Sequence, residues 1–290
     1  MGKYIRLLRV HHYVKNLLIF AAAIFSGKFL ERDIFFCAVS GFAAFCMTAS
    51  GIYIINDIRD IDKDRNHPVK CKRPIASGEV TVKFAVILAC VLFISAFITS
   101  FYVGGLKSFI LIALYIIINF AYSLGLKNIP IIDIAILVSG FFLRLLYGAM
   151  ITDIKISSWL YLSVISMAFY LALGKRRNEM RKFNNTRTVL NSYTDNFLDK
   201  NMYVCLSLAL VFYSLWSVDE RNYNSKYLIF TVPVVMLITM KYSLDIEGNS
   251  DGDPAEVLMN DKILLLLCAV YLACVLLIGF AGSAALKKTS

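Results

Sequence analysis

Apolar and polar segments alternate along the whole chain, and nine apolar stretches stand out. The first is short, and several of the others approach or pass the ~18 residues that an apolar helix needs to cross a bilayer. The stretches lie at residues 16–26, 34–55, 84–103, 108–124, 131–151, 158–174, 203–218, 227–242 and 263–282. Lone strands and open sheets cannot satisfy their backbone hydrogen bonds in lipid. The pattern therefore predicts an all-α, polytopic membrane helix bundle with nine transmembrane helices.

The composition fits this pattern. The chain has 290 residues, of which 59% are hydrophobic, and its mean hydropathy is +0.67. A soluble protein of this length would not be so apolar. No separate soluble domain and no cleavage site of a removable signal peptide stand out, so residues 1–290 are expected to form a single integral membrane domain. The seven cysteines are not paired at the spacing of a metal site.

Positive charge is distributed unevenly over the predicted polar segments. With nine spans, 21 Lys and Arg side chains fall on the side of the N-terminus and of the polar segments 56–83, 175–200 and 245–261, whereas eight fall on the other side. Cytoplasmic loops of membrane proteins carry the excess of Lys and Arg. We therefore expect the N-terminus and the three polar segments in the cytoplasm, where they cover one cavity, and the C-terminus outside. The net charge of +10 suits anionic partners at a membrane surface. Nothing indicates nucleic-acid binding.

An acidic run follows the second apolar stretch directly. Asn56, Asp57, Asp60 and Asp64 are spaced so that the steps of four and eight residues return to nearly the same face of a helix. Gathered carboxylates repel each other unless a cation neutralises them, and Mg²⁺ prefers such oxygen ligands together with substrate phosphates. We interpret the four residues as a site for a Mg²⁺-bound diphosphate. The alternative is a solvated helix end with ion pairs to neighbouring basic residues.

Basic side chains come soon after the acidic run and again after the sixth apolar stretch. Lys70 and Arg73 follow the first, and Lys175, Arg176 and Arg177 follow the second. Lys and Arg donate charge-assisted hydrogen bonds to phosphate oxygens, so these five residues are candidates for substrate binding. The alternative is that their charges only set the membrane topology.

Arg144 lies in the middle of the fifth apolar stretch, about three turns beyond Asp133. Ionisable residues inside a membrane span are costly, so they are by default functional or paired. We take Arg144 as a candidate catalytic residue and Asp133, Tyr122 and Lys127 as candidate substrate-binding residues. The alternative is a structural ion pair of Arg144 with Asp133 inside the bundle.

Two further segments place polar groups near the expected cavity. Lys15 and Asn16 lie at the first membrane crossing and are candidate substrate-binding residues. In the last polar segment, Asp253-Pro254 is typical of the cap and first position of a short helix. The alternative for this segment is a role in closing the site.

The motif Asn56-Asp57-x-x-Asp60-x-x-x-Asp64 resembles the first Asp-rich motif of the UbiA prenyltransferase superfamily. The second Asp-rich motif of that superfamily follows the sixth helix, where this chain reads KRRNE at residues 175–179. This departure resembles the decaprenyl-phosphate phosphoribosyltransferase branch. Further stretches fit that branch and extend the resemblance over most of the chain: HYVKNLL at 12–18, YIINDIRD at 53–60, KRPIASG at 72–78, YSL at 122–124, SGF at 139–141 and LGKRRNE at 173–179.

The resemblance implies nine helices around a central cavity that opens to the cytoplasmic face. For the branch, it implies transfer of 5-phosphoribose from phosphoribosyl diphosphate (PRPP) to a decaprenyl-type polyprenyl phosphate, in the synthesis of cell-envelope polysaccharide precursors. Mg²⁺ on the Asp-rich motif would stabilise the leaving diphosphate, and the acceptor tail would lie among membrane lipids. Asp57, Asp60 and Arg144 are then the candidate catalytic residues.

Two other functions stay open at the level of the sequence. The Asp-rich motif permits a prenyltransferase that moves a prenyl chain from its diphosphate to an aromatic acceptor, although the missing second Asp-rich motif counts against it. A transporter of a phosphorylated solute would explain the spans and the basic face, but not an acidic cluster of the Mg²⁺ type. The sequence leaves both the polyprenyl length and the formation of a homo-oligomer undecided.

Overall fold

The computed structural model describes residues 2–182, 188–219, 225–248 and 252–289, and these residues form helices without any strand. The first helical unit consists of α1 (Gly2–Leu8), a 3-10 helix (Val10–Phe20) and α2 (Ala21–Phe25). The later α-helices are α3 (Arg32–Arg59), α4 (Ile61–Arg65), α5 (Val82–Leu124), α6 (Ile132–Ile151), α7 (Ser158–Lys182), α8 (Asp195–Ser217), α9 (Ser225–Leu228), α10 (Val232–Glu247), α11 (Pro254–Asn260) and α12 (Lys262–Thr289). The predicted all-α fold is confirmed.

Six helices of the described ranges are long and apolar enough to cross a membrane. They are Arg32–Arg59, Val82–Leu124, Ile132–Ile151, Ser158–Arg181, Lys226–Glu247 and Lys262–Gly279. The predicted stretches 16–26 and 203–218 are not among them, because the first unit offers only the shorter apolar helix Val10–Phe25 and α8 opens with polar residues. The polytopic membrane bundle is confirmed, whereas the count of nine spans stays a prediction.

Helix α5 contains the third and fourth predicted stretches in one element. Its 43 residues would reach about 65 Å as a straight helix, roughly twice the hydrocarbon thickness of a bilayer. The helix is broken at Gly105, where φ is 65° and ψ is −158°. A residue without Cβ adopts this conformation readily, and the break allows two spans in place of one overlong rod.

The first half of α5 shows the surface that a membrane helix presents to lipid. Ile87, Val91, Ile94 and Ile98 recur every three or four residues and are 53–63% exposed. Residues at this spacing share one face of a helix, so these four form an apolar stripe on the outside of the bundle. Exposure of such an apolar stripe to water would be unfavourable, whereas lipid can surround it without further protein contacts.

The interior contains two large apolar clusters that share α6. Ile134 and Val138, near the start of α6, pack in a cluster with residues of α7, α8, α10 and α12. Leu143, Tyr147 and Ile151, near its end, pack with the first helical unit, α3 and α5. Helix α6 therefore joins the two halves of the bundle.

The polar segments meet at one end of this bundle. Helix α3 ends there, α6 begins there and α7 ends there. Three ion pairs connect these helix ends with the polar segments: Arg73–Asp57, Arg176–Asp133 and Lys175–Asp253. The short connections 26–31 and 152–157 lie at the other end of α3 and α6. The predicted grouping of polar segments on one face is therefore observed, and we call this face the polar end.

Candidate functional site

A cavity of about 120 Å³ lies between the helices near the polar end. Its wall includes three cationic side chains and three phenols, those of Lys15, Arg144, Lys175, Tyr53, Tyr115 and Tyr122. Asn119, Pro254 and apolar residues of α6 and α7 complete the lining. A pocket with converging cations and an apolar wall suits a ligand that combines phosphate groups with a lipid chain.

Arg144 forms the base of the cavity and is held in a fixed orientation. Its Nε donates to Asn16 Oδ1 (2.7 Å), its Nη1 to the carbonyl of Gly140 (2.6 Å) and its Nη2 to the Tyr115 hydroxyl (2.9 Å). The guanidinium also lies over the Tyr115 ring, 5.1 Å from its centroid. The predicted alternative of an Arg144–Asp133 pair is wrong, because Asp133 lies elsewhere and bonds Arg176 and Tyr193.

The Asp-rich motif places two carboxylates on one cation. Arg73 Nη1 donates to Asp57 Oδ1 (3.0 Å) and to Asp64 Oδ2 (2.6 Å), and Arg9 Nη2 donates to the same oxygen of Asp57 (2.5 Å). Both aspartates are only 3% exposed. Two buried carboxylates thus converge on a single positive group, as they would on a bound metal ion.

The other two members of the motif are arranged differently. Helix α3 ends at Arg59 and Asp60 caps it, so the four side chains do not share one continuous helix face. Asn56 Oδ1 accepts from the Ser123 hydroxyl (2.8 Å), whereas the partly exposed Asp60 is 3.5 Å from Arg59. Among the described residues no group of three or more His, Cys, Asp and Glu side chains stands ready to hold a metal ion.

A second ion cluster lies beside the cavity and involves the last polar segment. Asp253 Oδ2 accepts from Lys15 Nζ (2.7 Å) and from Lys175 Nζ (2.9 Å). Burial alone would raise the pKa of the Asp253 carboxyl, but the Lys175 and Lys15 ammonium groups outweigh burial and hold this pKa well below its usual range. Asp253 is therefore ionised and balances one of the two lysine charges.

The three basic residues 175–177 point in three directions, because successive residues of a helix are turned by about 100°. Only Lys175 lines the cavity. Arg176, with no exposed surface, bonds Asp133, Glu179 and Tyr122. Arg177 Nε lies 2.5 Å from Asp199 Oδ1 on the far side of α7. Direct phosphate binding by Arg176 and Arg177 thus finds no support in their placement and stays a prediction.

The remaining candidates lie outside the cavity wall. Lys70 is exposed in a short 3-10 helix, and Lys127 is half-buried in the 3-10 helix after α5. Asp133 has no exposed surface and accepts from both Arg176 and Tyr193. Of the predicted substrate-binding residues, Lys15, Tyr122 and Lys175 therefore line the cavity, and Asn16 supports it through Arg144.

Several residues of the site were not singled out from the sequence. Arg9 counted there only as a topology charge, yet it bonds Asp57 and adopts a left-handed backbone at φ 53°. Tyr115 and Asn119 line the cavity from α5, as the predicted Tyr122 does. Their spacing of four and three residues relative to Tyr122, inside an apolar stretch, is the signal that could have found them, since it puts three polar groups on one helix face.

A larger cavity of about 550 Å³ lies at the opposite end of the bundle, next to Lys28 and Lys155. It contains none of the motif residues. By size alone, this cavity would be the candidate functional site. The converging charges and the Asp-rich motif instead identify the smaller cavity at the polar end as that site.

Comparison with known proteins identifies the family of this chain. Residues 17–263 match the UbiA prenyltransferase family. The chain is 33% identical over 281 residues to the decaprenyl-phosphate phosphoribosyltransferase of Mycolicibacterium smegmatis, covering 91% of this chain and 88% of the relative. It is also 33% identical over 285 residues to the protein of the same name from Corynebacterium glutamicum, covering 94% and 85%.

The fold is similar to that of a UbiA homolog from Archaeoglobus fulgidus bound to GPP and Mg²⁺. The TM-score is 0.70, with 97% of this chain and 99% of that chain covered at 19% identity. The predicted resemblance is confirmed, and the family and the relatives indicate a transferase rather than a transporter. With its six candidate spans, this integral membrane protein belongs to the UbiA prenyltransferase family.

Proposed function

We propose that this protein transfers 5-phosphoribose from PRPP to the phosphate of a long polyprenyl phosphate and releases diphosphate. Its likeness to two decaprenyl-phosphate phosphoribosyltransferases over nearly the whole chain carries the proposal. The cavity supports it, because Lys175 stands where the superfamily's second Asp-rich motif would begin, and it faces Lys15 across Asp253. A reaction with phosphate groups on both substrates needs more cations than one with an aromatic acceptor.

The residues present fit a divalent cation. The convergence of Asp57 and Asp64 on Arg73 shows that two carboxylates reach one point. Asn56 directly precedes Asp57, and Asp60 lies between the two aspartates in the chain. We propose these four residues as the holders of Mg²⁺. When bound, Mg²⁺ would neutralise charge that develops on the leaving diphosphate.

In the proposed reaction, an oxygen of the acceptor phosphate forms a bond to C1 of the ribose. The bond from C1 to the diphosphate oxygen breaks, and its electron pair leaves with the diphosphate. The acceptor oxygen is already an anion, so the site must position it rather than remove a proton. Lys15 and Lys175 would hold phosphate oxygens, and Arg144, fixed by Asn16 and Tyr115, would orient the ligand from below.

The other candidates support the cavity in this proposal. Arg176 holds the Tyr122 hydroxyl (2.9 Å) and is itself fixed by Asp133, so both act by positioning a residue of the cavity wall. Arg73 would release its carboxylates to the metal and take a phosphate oxygen. The exposed Lys70 and the half-buried Lys127 would attract anionic substrates from the polar end.

The test uses purified protein in detergent with Mg²⁺, polyprenyl phosphate and PRPP labelled in the ribose. We expect label in the organic-extractable lipid, and we expect EDTA to abolish it. Asp57→Asn and Asp60→Asn should each lower the rate by at least about a hundredfold, as the loss of a metal ligand or of charge stabilisation typically does. Asp62→Asn is the matched control, because its side chain is 89% exposed in the same run.

Prenyl transfer to an aromatic acceptor is the competing function, favoured by the structural likeness to a UbiA homolog bound to GPP. The same preparation is therefore assayed with a prenyl diphosphate and an aromatic acceptor. Consumption of the prenyl diphosphate without any labelled ribosyl lipid would overturn our proposal and assign the chain to prenyl transfer.

A further inference from the structure

The two carboxylate oxygens of Asp253 have separate functions. Oδ1 accepts from the backbone N–H of Ala255 (3.1 Å) and so caps the start of α11. Oδ2 accepts only from the ammonium groups of Lys15 (2.7 Å) and Lys175 (2.9 Å) among the described residues. The cap holds α11 in place without Oδ2, so the lysine contacts can be exchanged while the helix stays formed.

The position of Oδ2 is that of an anion bound by two cations. Lys15 comes from the first helical unit and Lys175 from α7, and both line the cavity. Because both ammonium groups contact one oxygen, they lie less than about 6 Å apart and would repel each other strongly without a shared anion. A phosphate oxygen is an acceptor of the same kind and charge as Oδ2.

The cavity is smaller than a ligand with several phosphate groups requires. Pockets for small molecules typically measure ~300–1,000 Å³, whereas this cavity has about 120 Å³. A ligand with several phosphate groups therefore needs space that protein groups now fill. A phosphate oxygen in the place of this carboxylate oxygen would keep both lysine charges paired.

We propose that the point between Lys15 and Lys175 is a phosphate subsite and that Asp253 Oδ2 occupies it as an internal competitor until a substrate phosphate displaces it. The subsite takes a phosphate group of the sugar donor or the phosphate of the lipid acceptor. The inference rests on the proposed function, because it assigns a place to one phosphate of that reaction. Asp253 is a positioning residue here, since it acts on substrate only through the two lysines.

The substitution Asp253→Asn tests this competition. Asparagine still caps a helix, but it brings no negative charge to the lysines. We expect the KM of one substrate, PRPP or polyprenyl phosphate, and the inhibition constant of inorganic phosphate to fall about three- to tenfold, as removal of one nearby repelling charge from a partly solvated site would give. The two KM values, measured separately, show which substrate uses the subsite.

The matched control is Asp261→Asn in the same polar segment. Asp261 also accepts from a lysine, Lys241 (2.6 Å), and from a backbone N–H, that of Leu264 (2.6 Å), but neither partner lines the cavity. This variant should leave both KM values unchanged. In a chain that carries Lys15→Met, Asp253→Asn should no longer tighten phosphate binding, because one half of the subsite is gone.

The sign of the effect separates competition from a purely structural role. Loss of a structural contact would leave phosphate binding unchanged or weaken it, and either result in a folded Asp253→Asn protein overturns the inference. Thermal unfolding checks the fold, and Asp253→Ser, which also caps, replaces Asp253→Asn if that variant is unfolded. Absence of ribosyl transfer by the unsubstituted protein instead refutes the proposed function, while phosphate binding, measured by calorimetry, still tests the subsite.

Discussion

At the scale of the residue, the role of a charged side chain depends on the groups that it contacts rather than on its residue type. Arg144 and Arg176 are both arginines inside membrane helices, but Arg144 reaches the cavity whereas Arg176 is enclosed by two acids and a phenol. An enclosed cation cannot be removed without leaving its carboxylate partners buried and uncompensated. Arg176 should therefore matter first for stability.

We expect Arg176→Met to lower the free energy of unfolding by about 3–5 kcal/mol, because Asp133 would be left as an unpaired charge with no exposed surface. Thermal or denaturant unfolding in detergent measures this. Arg181→Met on the same helix is the control, since Arg181 is 42% exposed and pairs with the exposed Asp195 and the half-buried Asp199. Its cost should stay below about 1 kcal/mol, and equal costs for the two variants would contradict the assignment.

At the scale of the element, two glycines show how closely the helices approach. A Cβ at Gly148 of α6 would overlap the backbone carbonyl of Ile19 in the first helical unit. A Cβ at Gly41 of α3 would meet the terminal methyl of Ile151, which can move. The contact through Gly148 sets the distance between α6 and the segment that carries Lys15 and Asn16, and hence the geometry around Arg144.

Gly148→Ala should cost about 1–3 kcal/mol of stability, as overpacking against a rigid neighbour does. Gly41→Ala should be close to neutral, because a small side-chain shift is offset by the better helix propensity of alanine. Unfolding of the two variants in detergent provides the comparison. A Gly148→Ala protein as stable as the parent would show that the first unit is not fixed against α6.

At the scale of the whole molecule, one end of the bundle holds the Asp-rich motif, the cavity and both ion clusters. The connections 26–31 and 152–157 mark the other end. The uneven count of Lys and Arg predicts that the polar end faces the cytoplasm. The half-buried Cys71 lies in the basic segment at the polar end and serves as a native reporter.

A membrane-impermeant maleimide should label Cys71 in inside-out vesicles and not in right-side-out vesicles. Lys155→Cys in a Cys71→Ser background should show the opposite pattern, because Lys155 is exposed at the other end. Mass spectrometry of the labelled peptide identifies the site. Labelling of Cys71 from the outside would reverse the predicted orientation.

The sequence by itself determined the class of the protein and pointed to several charged residues of its candidate site. Helical membrane segments follow from the length of apolar stretches, because backbone groups in lipid must be satisfied within a helix. The acidic run at the end of α3, the basic run at the end of α7 and the deep Arg144 were visible as local deviations from that apolar pattern. These features require no knowledge of which helices are neighbours.

Only the tertiary structure decided which charges meet. Asp57 is joined to Arg9 and Arg73, and Lys175 to Lys15 through Asp253, across separations of up to 238 residues. Such pairings depend on the packing of α6 against the other helices and on the rotation of each helix about its axis, and a one-residue change of rotation turns a side chain by about 100°. For this reason the sequence placed residues 175–177 together, whereas the fold sends only Lys175 into the cavity.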